Sequence, residues 1–450
     1  MVTIRKNGST EEARATRLQS YRIEEEDAVR RIHLREEPDG SGLMIVDASV
    51  IVHVNATALA IARAILDGED VKGAQKRLRR MFRGVKRDQV ERDYDKVHSV
   101  IFPKRHEEDE CPWQDLASGE IEPFAAGVSA PYRADLAITY QCNNDCAHCY
   151  VARDKNMKSL RPEEWRLVLD KLWQVGIPHV CFTGGEATTC DFLVELVEYA
   201  EDTGFVTGLL TNGRRLSDRA YVETLLGAGL DHVQITLESH KPEVHNEMVG
   251  CEGFEETVLG IRNALAGDVF LVTNTTLTTK NAKDIEGTID FLNDLGVRTF
   301  ACNAIIYSGG GKTSGIGLSD MELPRILALV AERARRHKMR FIWYSPTRYC
   351  RLNPTELDIG YKRCTAGEYN ICVEPNGDVI PCQSYYEVAG NILEDPWENI
   401  WSGKLFRQFR DRLNADEECR DCPDFDVCGG GCPLERETGV LRCQDGVSES

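Results

Sequence analysis

The run LAITYQCNNDCAHCY (136–150) joins an apolar, strand-like segment to a loop carrying Cys142, Cys146 and Cys149. The spacing is C-x3-C-x2-C, which offers three thiolates where a closed tetrahedral site wants four. Such a triplet suits a four-iron cube that keeps one iron without a protein ligand, and that open iron is where chemistry can happen. Taken alone, the spacing also fits a partial zinc site or buried free thiols.

Working outward, the pattern of an apolar run followed by a helical stretch repeats. HVCFTG (179–184), FVTGLLT (205–211), HVQITLE (232–238), VFLVTNTTL (269–277) and VRTFACNAII (297–306) each read as a strand leading into a helix. With the first run they make six βα units, so the fold class is α/β and the spacing predicts a partial (β/α)6 barrel over residues 134–345. In parallel barrels the loops after the strands build the active site. The unusual residues fall there: the triplet after the first strand, Gly184, Gly185 and Glu186 after the second, Thr211, Asn212 and Gly213 after the third, Glu238 and Ser239 after the fourth, Asn274 within the fifth and Gly309–Gly311 after the sixth. Glycines allow close backbone approach, and Glu186 is suited to accept a hydrogen bond from an ammonium group. Asn212 also has an ordinary turn role in its TNG run.

Composition narrows the class. The chain has 450 residues, 42% of them hydrophobic, enough for two or three domains with ordinary cores. No apolar stretch reaches membrane-spanning length and the first residues lack a secretory signal, so a cytoplasmic protein is expected. Seventeen cysteines, an odd number, argue there for metal ligation over disulfides. The net charge of -19 argues against extended nucleic-acid contact.

Before the barrel, residues 1–28 read as a mobile polar tail ending in an acidic run. AVRRIHLRE, GLMIVDA and VIVHVN then read as three strands, and three amphipathic helices follow, the first with Asn55 as its N-cap. Together they make a compact winged-helix-like α+β module over 29–103. Residues 104–133, with Cys111, read as a linker. Lys72, Lys76, Arg77, Arg79, Arg80, Arg83, Lys86 and Arg87 crowd one helix and its exit. They form a solvated face, a grip on an acidic peptide, or a DNA contact.

After the barrel, residues 346–450 are a cysteine-rich domain opened by a hairpin turning at Asn376-Gly377. Cys364 and Cys382 precede Cys419, Cys422, Cys428 and Cys432, spaced C-x2-C-x5-C-x3-C, and Cys443 closes the set. Cys419, Cys422, Cys428 and Cys432 could alternatively close one zinc ribbon. Cys181 and Cys302 lie in strands and read as buried thiols, although a barrel-facing Cys302 could return a hydrogen atom to a substrate radical and so epimerise it.

CNNDCAHCY, with TGGE at 183–186, resembles the radical S-adenosylmethionine superfamily across the barrel. The resemblance implies a [4Fe-4S] cluster on Cys142, Cys146 and Cys149 that passes one electron to S-adenosylmethionine, giving a 5'-deoxyadenosyl radical that takes hydrogen from substrate. It also implies that Gly184, Gly185 and Glu186 contact the methionine moiety and that His148 lies near adenine. Asn212, Glu238 and Asn274 are further candidate cofactor contacts. Where the family commonly has proline after the glutamate, this chain has Ala187. The tail resembles the SPASM extension of peptide-modifying radical enzymes, which implies two auxiliary [4Fe-4S] clusters. Cys419, Cys422, Cys428 and Cys443 would hold one. Cys364, Cys382 and Cys432 would hold the other, with Cys372 or Cys350 as its fourth ligand or the position left open. The amino-terminal module resembles the peptide-recognition domain of pyrroloquinoline quinone biosynthesis, in which a leader peptide adds a strand to the sheet.

These readings converge on a radical maturase that binds a ribosomal precursor peptide by its leader and installs a crosslink or related oxidative change. An electron donor such as flavodoxin or ferredoxin would feed it. The alternatives are a radical enzyme acting on a protein side chain or small molecule, a peptide epimerase, and a non-catalytic redox-sensing winged-helix protein.

Overall fold

The computed structural model describes residues 3–7, 17–24, 29–46, 50–102 and 127–436. Most of the expected linker, with Cys111, and the candidate ligand Cys443 lie outside these residues. The described residues form two compact units, one of residues 1–130 with 169–179 and 202–206, the other of the remainder.

In the first unit an antiparallel sheet runs in simple order through β1 (Thr3–Asn7), β2 (Leu18–Glu24), β3 (Val29–Glu36), β4 (Gly42–Val46) and β5 (Val50–Val54). The expected tail thus contributes two strands. LQSYRIE buries Leu18, Tyr21 and Ile23, and Tyr21 Oη donates to Asp67 at 3.1 Å, so its apolar positions outweigh the acidic run beside it. Three helices follow, α1 (Ala56–Leu66), α2 (Val71–Met81) and α3 (Arg87–Ile101). Asn55 caps α1 as expected, accepting from the Ala58 N–H at 2.9 Å, and Asp70 does the same for α2 through Gly73.

Alternation along β3 sends Ile32 and Leu34 into the core with α1, which turns Arg31, His33 and Arg35 to the other face. That face is buried as well. His33 bonds to Gly204 O at 2.7 Å, and Arg35 pairs with Glu37 at 2.8 Å while donating to Gly176 O at 3.0 Å. The basic run is partly neutralised within the unit, since Arg77 pairs with Asp67 and Glu69, and Arg87 with Glu91. Arg63, Lys76, Arg77 and Arg80 line a cavity of about 490 Å³ beside α1 and α2.

The second unit is built on a ten-stranded mixed sheet. The six expected strands are present as β6 (Arg133–Thr139), β7 (His179–Gly184), β8 (Val206–Thr211), β9 (His232–Thr236), β10 (Phe270–Leu277) and β11 (Thr299–Ala304). A seventh, β12 (Arg340–Trp343), pairs parallel with β11, so the repeat runs one strand further than six units predict. The tail hairpin forms at the expected turn, with β13 (Asn370–Val373) antiparallel to β14 (Asp378–Ile380) and Gly377 at φ +90°. β13 also pairs parallel with β6, and β15 (Gly390–Asn391) follows β14 at the edge. The cysteine-rich region therefore begins inside the barrel's sheet.

Three histidines, His33 and His245 buried and His232 half-buried, are held neutral. Burial lowers His33 and His232 to about 3 and His245 to about 4. Because the unfolded chain binds protons near 6.5 and these folded rings do not, stability is complete above that value and falls as pH drops toward 4. Each ring contributes about 1.4 kcal/mol per pH unit in that window. Urea midpoints measured from about pH 7 down to about pH 5 are expected to fall steeply. A flat profile would mean that the rings titrate near their ordinary value.

Candidate active site

The triplet loop leaves β6 and is clamped at both flanks. The Asp145 N–H donates to Val249 O at 3.0 Å and the Ala147 N–H to Met248 O at 3.1 Å, which satisfies carbonyls at the end of helix Pro242–Val249. Arg214 Nη1 donates to Asn143 O at 2.6 Å and to Asn144 Oδ1 at 3.0 Å. The glycines after β11 lie against the same loop. A Cβ on Gly310 would sit 2.7 Å from Ala147 O, and the Gly311 N–H donates to Cys149 O at 3.3 Å. The three cysteines are half-buried. Burial pushes the Cys142 thiol up to about 11, and Cys146 higher still, with Glu238 and the neighbouring cysteines adding to it. These thiols stay protonated without metal, and coordination would remove their protons.

On the next loop, Gly184 and Gly185 pass so close to β6 that side chains are excluded. A Cβ would lie 1.9 Å from Thr139 O at Gly184, where φ is +138°, and 2.4 Å from Gln141 O at Gly185. Glu186 follows, 2% exposed. Its Oε1 accepts from the Thr188 N–H at 3.1 Å, the Thr188 hydroxyl at 2.7 Å and the Thr211 hydroxyl at 2.7 Å, while Oε2 accepts from the Asn212 N–H at 2.7 Å. The carboxylate thus ties the loop after β7 to the end of β8 before any ligand arrives. Asn212 continues the link, its Nδ2 donating to Asn143 Oδ1 at 2.7 Å.

His148 and Glu238 meet across the site at 2.9 Å. Burial opposes charge on the ring, but the Glu238 carboxylate outweighs it and holds the His148 pKa above 6.5. Glu238 Oε2 accepts from the Thr276 N–H at 2.8 Å, and its own N–H donates to His245 Nδ1 at 3.2 Å. Asn274 donates to Asn303 Oδ1 at 2.8 Å. Among the described residues His148 Nδ1 and Asn274 Oδ1 are buried without a partner. Orphaned polar atoms in a buried site are places where a bound group completes the hydrogen bonding, so these residues fit a cofactor on this end of the sheet.

Cys302 does not join them. In the parallel register Cys302 aligns with Thr275 and Trp343, whereas Asn274 and Asn303 sit one residue out of phase. Alternation therefore puts Cys302 on the opposite face of the sheet from Asn274 and Asn303, fully buried, with its thiol raised by burial and then by Glu238.

In the tail, Cys364, Cys382 and Cys432 influence one another. Burial, then the Cys364 thiol, pushes Cys382 up to about 12, and burial, then Cys364 and Cys382, raises Cys432. Cys432 thus groups with Cys364 and Cys382, away from the ribbon reading. Burial raises Cys419, with Asp416 and Cys428 adding to it. The Tyr349 N–H donates to Cys428 Sγ at 3.4 Å, which places Cys350 beside that second group. Cys372 is fully buried with Ala137, Tyr140 and Ile380, and its thiol is raised by burial, then by Asp135 and Cys382. Cys422 is exposed.

Several site residues carry no sequence signal. Cys251, 3.2 Å from Asn144 Oδ1, lies beside the triplet loop although a hundred residues separate them. Arg214, Thr276 and Asn303 are likewise brought in only by strand order.

Residues 136–292 match the Radical SAM superfamily, and residues 364–423 match SPASM, an iron-sulfur cluster-binding domain. The AdoMet-dependent heme synthase of Methanosarcina barkeri is 28% identical over 323 residues, covering 68% of this chain and 92% of the relative. The PqqA peptide cyclase of Bradyrhizobium diazoefficiens is 29% identical over 324 residues, covering 67% and 81%. The crystal structure of Streptococcus suis SuiB bound to precursor peptide SuiA superposes with a TM-score of 0.67 over 90% of this chain and 94% of that one, at 15% identity, which shows a shared fold. The chain carries a radical SAM domain, which takes a four-iron cluster and S-adenosylmethionine, and a SPASM domain, which binds auxiliary iron-sulfur clusters. Among the described residues no helix is long and apolar enough to cross a membrane.

Proposed function

We propose that this radical S-adenosylmethionine enzyme matures a ribosomal precursor peptide, holding the leader on its amino-terminal sheet while the core peptide loses a hydrogen atom at the barrel. The observation that carries the reading is the sheet order: among the described residues β5 is an edge strand, so its outward amides and carbonyls can pair with an incoming strand. The heme synthase spans nearly its whole length with about two thirds of this chain, so much of this chain has no counterpart there. The fold of SuiB, by contrast, extends over 90% of it, and that protein has been crystallised with its precursor peptide.

In this reading Cys142, Cys146 and Cys149 hold the radical-generating cluster. Gly184 and Gly185 bring backbone close to the methionine moiety, Glu186 fixes their loop, and His148 and Asn274 offer their free polar atoms. When bound, the cluster and its cofactor supply a one-electron cleavage that yields a carbon radical. Cys419, Cys422, Cys428 and Cys443 hold one auxiliary cluster, and Cys364, Cys382 and Cys432 the other. Cys372, whose thiol feels Cys382, suits the fourth position there better than Cys350, which lies beside Cys428. Auxiliary clusters suit the reaction because forming a new bond after hydrogen loss requires removing a second electron. A flavodoxin or ferredoxin would be the reductant.

The heme synthase relative favours a second reading, a small non-peptide substrate. Anaerobic coexpression with any short peptide found encoded beside the gene, followed by mass spectrometry, separates them. A loss of two hydrogens from the peptide supports maturation; an unchanged peptide, with 5'-deoxyadenosine formation indifferent to its presence, sinks it. A proline scan tests the docking mode. Single prolines at Ile51, Val52 and His53 are expected to weaken leader binding at alternate positions only, by about 1 kcal/mol or more, because successive strand amides point opposite ways. Uniform binding by all three variants would remove β5 as the docking edge.

A further inference from the structure

Cys149 and Cys382 belong to different cluster sites, yet the residue after each is bonded to the residue after the other. Tyr150 Oη donates to Gln383 Oε1 at 2.7 Å. Side chains around this contact fasten the same two segments. Arg153 makes paired bonds to Glu374 at 2.7 and 2.8 Å and a third to Tyr386 O at 3.0 Å, and its guanidinium lies 4.8 Å over the Tyr386 ring. Tyr140 Oη donates to Glu374 at 2.9 Å, and the Tyr140 and Tyr386 rings meet edge to face at 6.4 Å. Tyr140 is 2% exposed, so the surroundings are dry and their one buried carboxylate is paired.

We propose that the Tyr150–Gln383 hydrogen bond is the electron link between the radical-generating cluster and the auxiliary cluster held by Cys364, Cys382 and Cys432. The proposal rests on the ligand assignments given above. Electron tunnelling decays more slowly along covalent bonds and short hydrogen bonds than across van der Waals gaps. From the Cys149 sulfur the route runs along the main chain into the Tyr150 side chain, crosses the 2.7 Å contact, and returns along Gln383 to the Cys382 sulfur. Its single non-covalent step is that contact. One electron leaves the reduced auxiliary cluster and reduces the oxidised radical-generating one; no bond forms or breaks, and Tyr150 keeps its proton and is not itself oxidised. In turnover the electron originates in the substrate radical, which returns the radical-generating cluster to its reduced state. The neighbouring Arg153–Glu374 pair has a different task, holding the segments in register. A phenylalanine at 150 would pack equally well, so the hydroxyl is the part that the link requires.

The test uses the full chain with reconstituted clusters, reduced by a deazaflavin flash and sampled by freeze-quench electron paramagnetic resonance. Tyr150→Phe and Gln383→Leu are each expected to keep the parent's iron content and cluster signals while intercluster equilibration slows by about tenfold, with no further loss in the double variant because both break the Tyr150–Gln383 contact and the hydroxyl's other bond, with Thr183, lies off the route. Arg153→Gln, which loosens the staple and spares the route, is expected to equilibrate at the parent's rate. An unchanged rate in Tyr150→Phe with clusters intact overturns the link, as does an equal slowing in Arg153→Gln, which would make the contact mechanical. A parent protein that binds only four irons would instead overturn the ligand assignment on which the link depends, and iron analysis distinguishes that failure from the others.

Discussion

Cys146→Ala is expected to bring reductive formation of 5'-deoxyadenosine to background and to lower the iron content from about twelve to about eight per chain, one four-iron cluster of three being lost. Cys146 is the middle cysteine of the triplet, and its carbonyl accepts the Cys149 N–H at 3.1 Å, so it also sets the turn that carries the third. The loop cannot shift to recruit a neighbour, because Asp145 and Ala147 are pinned on either side of it to Val249 and Met248. One rescue is conceivable. The Cys251 thiol is close enough to raise Cys146 further, and it bonds to Asn144 Oδ1 at 3.2 Å. Cys146→Ala combined with Cys251→Ala closes that route, and the two variants should behave alike. Anaerobic iron analysis and chromatography of the nucleoside product decide the matter; full turnover in the double variant would mean that the triplet does not hold the cluster.

What the sequence made legible was local. The triplet, the glycine pair after β7 and the Asn376-Gly377 turn each depend on a few adjacent residues, and so did the Asn55 cap. What it hid was long-range. β12 is only four residues, RFIW, too short to show a period, and it declares itself a strand only by pairing with β11. β2 was masked by the acidic run that follows it, although its apolar positions reach the core. The placement of Cys302 was a question of parity. A strand buried on both faces looks the same from either side in sequence, and only the register with Asn274 and Asn303 tells which face a residue takes. The pairing of β13 with β6, which brings Glu374 to Arg153 and Gln383 to Tyr150, joins residues more than two hundred positions apart and leaves no local trace.

Glu186→Ala is expected to cost about 3–5 kcal/mol of stability, because several buried donors lose their acceptor at about 1–3 kcal/mol each, and to abolish S-adenosylmethionine binding with it. Sequence reasoning gives Glu186 a direct hydrogen bond to the cofactor's ammonium, but four donors already converge on the carboxylate. Alanine would leave the Thr188 and Asn212 amides and two threonine hydroxyls unpaired in a site where the parent side chain is 2% exposed. The backbone bonds of the Gly185 N–H to Thr139 O and of the residue 186 N–H to Gln141 O, 2.8 Å each, would remain, but the tie from the glycine loop to the end of β8 would be lost. Glu186→Gln separates the two roles. The amide keeps one acceptor oxygen for Thr188 and Thr211 but turns an NH2 toward the Asn212 N–H, so about 1.5–3 kcal/mol is expected to be lost, the contribution of a charged hydrogen bond. If Glu186 acts chiefly by tying β7 to β8, cofactor affinity in Glu186→Gln should fall in step with stability, and Thr211→Val, which removes a single donor, should shift both in the same direction. Urea unfolding followed alongside equilibrium binding of S-adenosylmethionine to the reconstituted protein measures the two together. A Glu186→Gln protein of parental stability that no longer binds the cofactor would instead assign the carboxylate to direct contact.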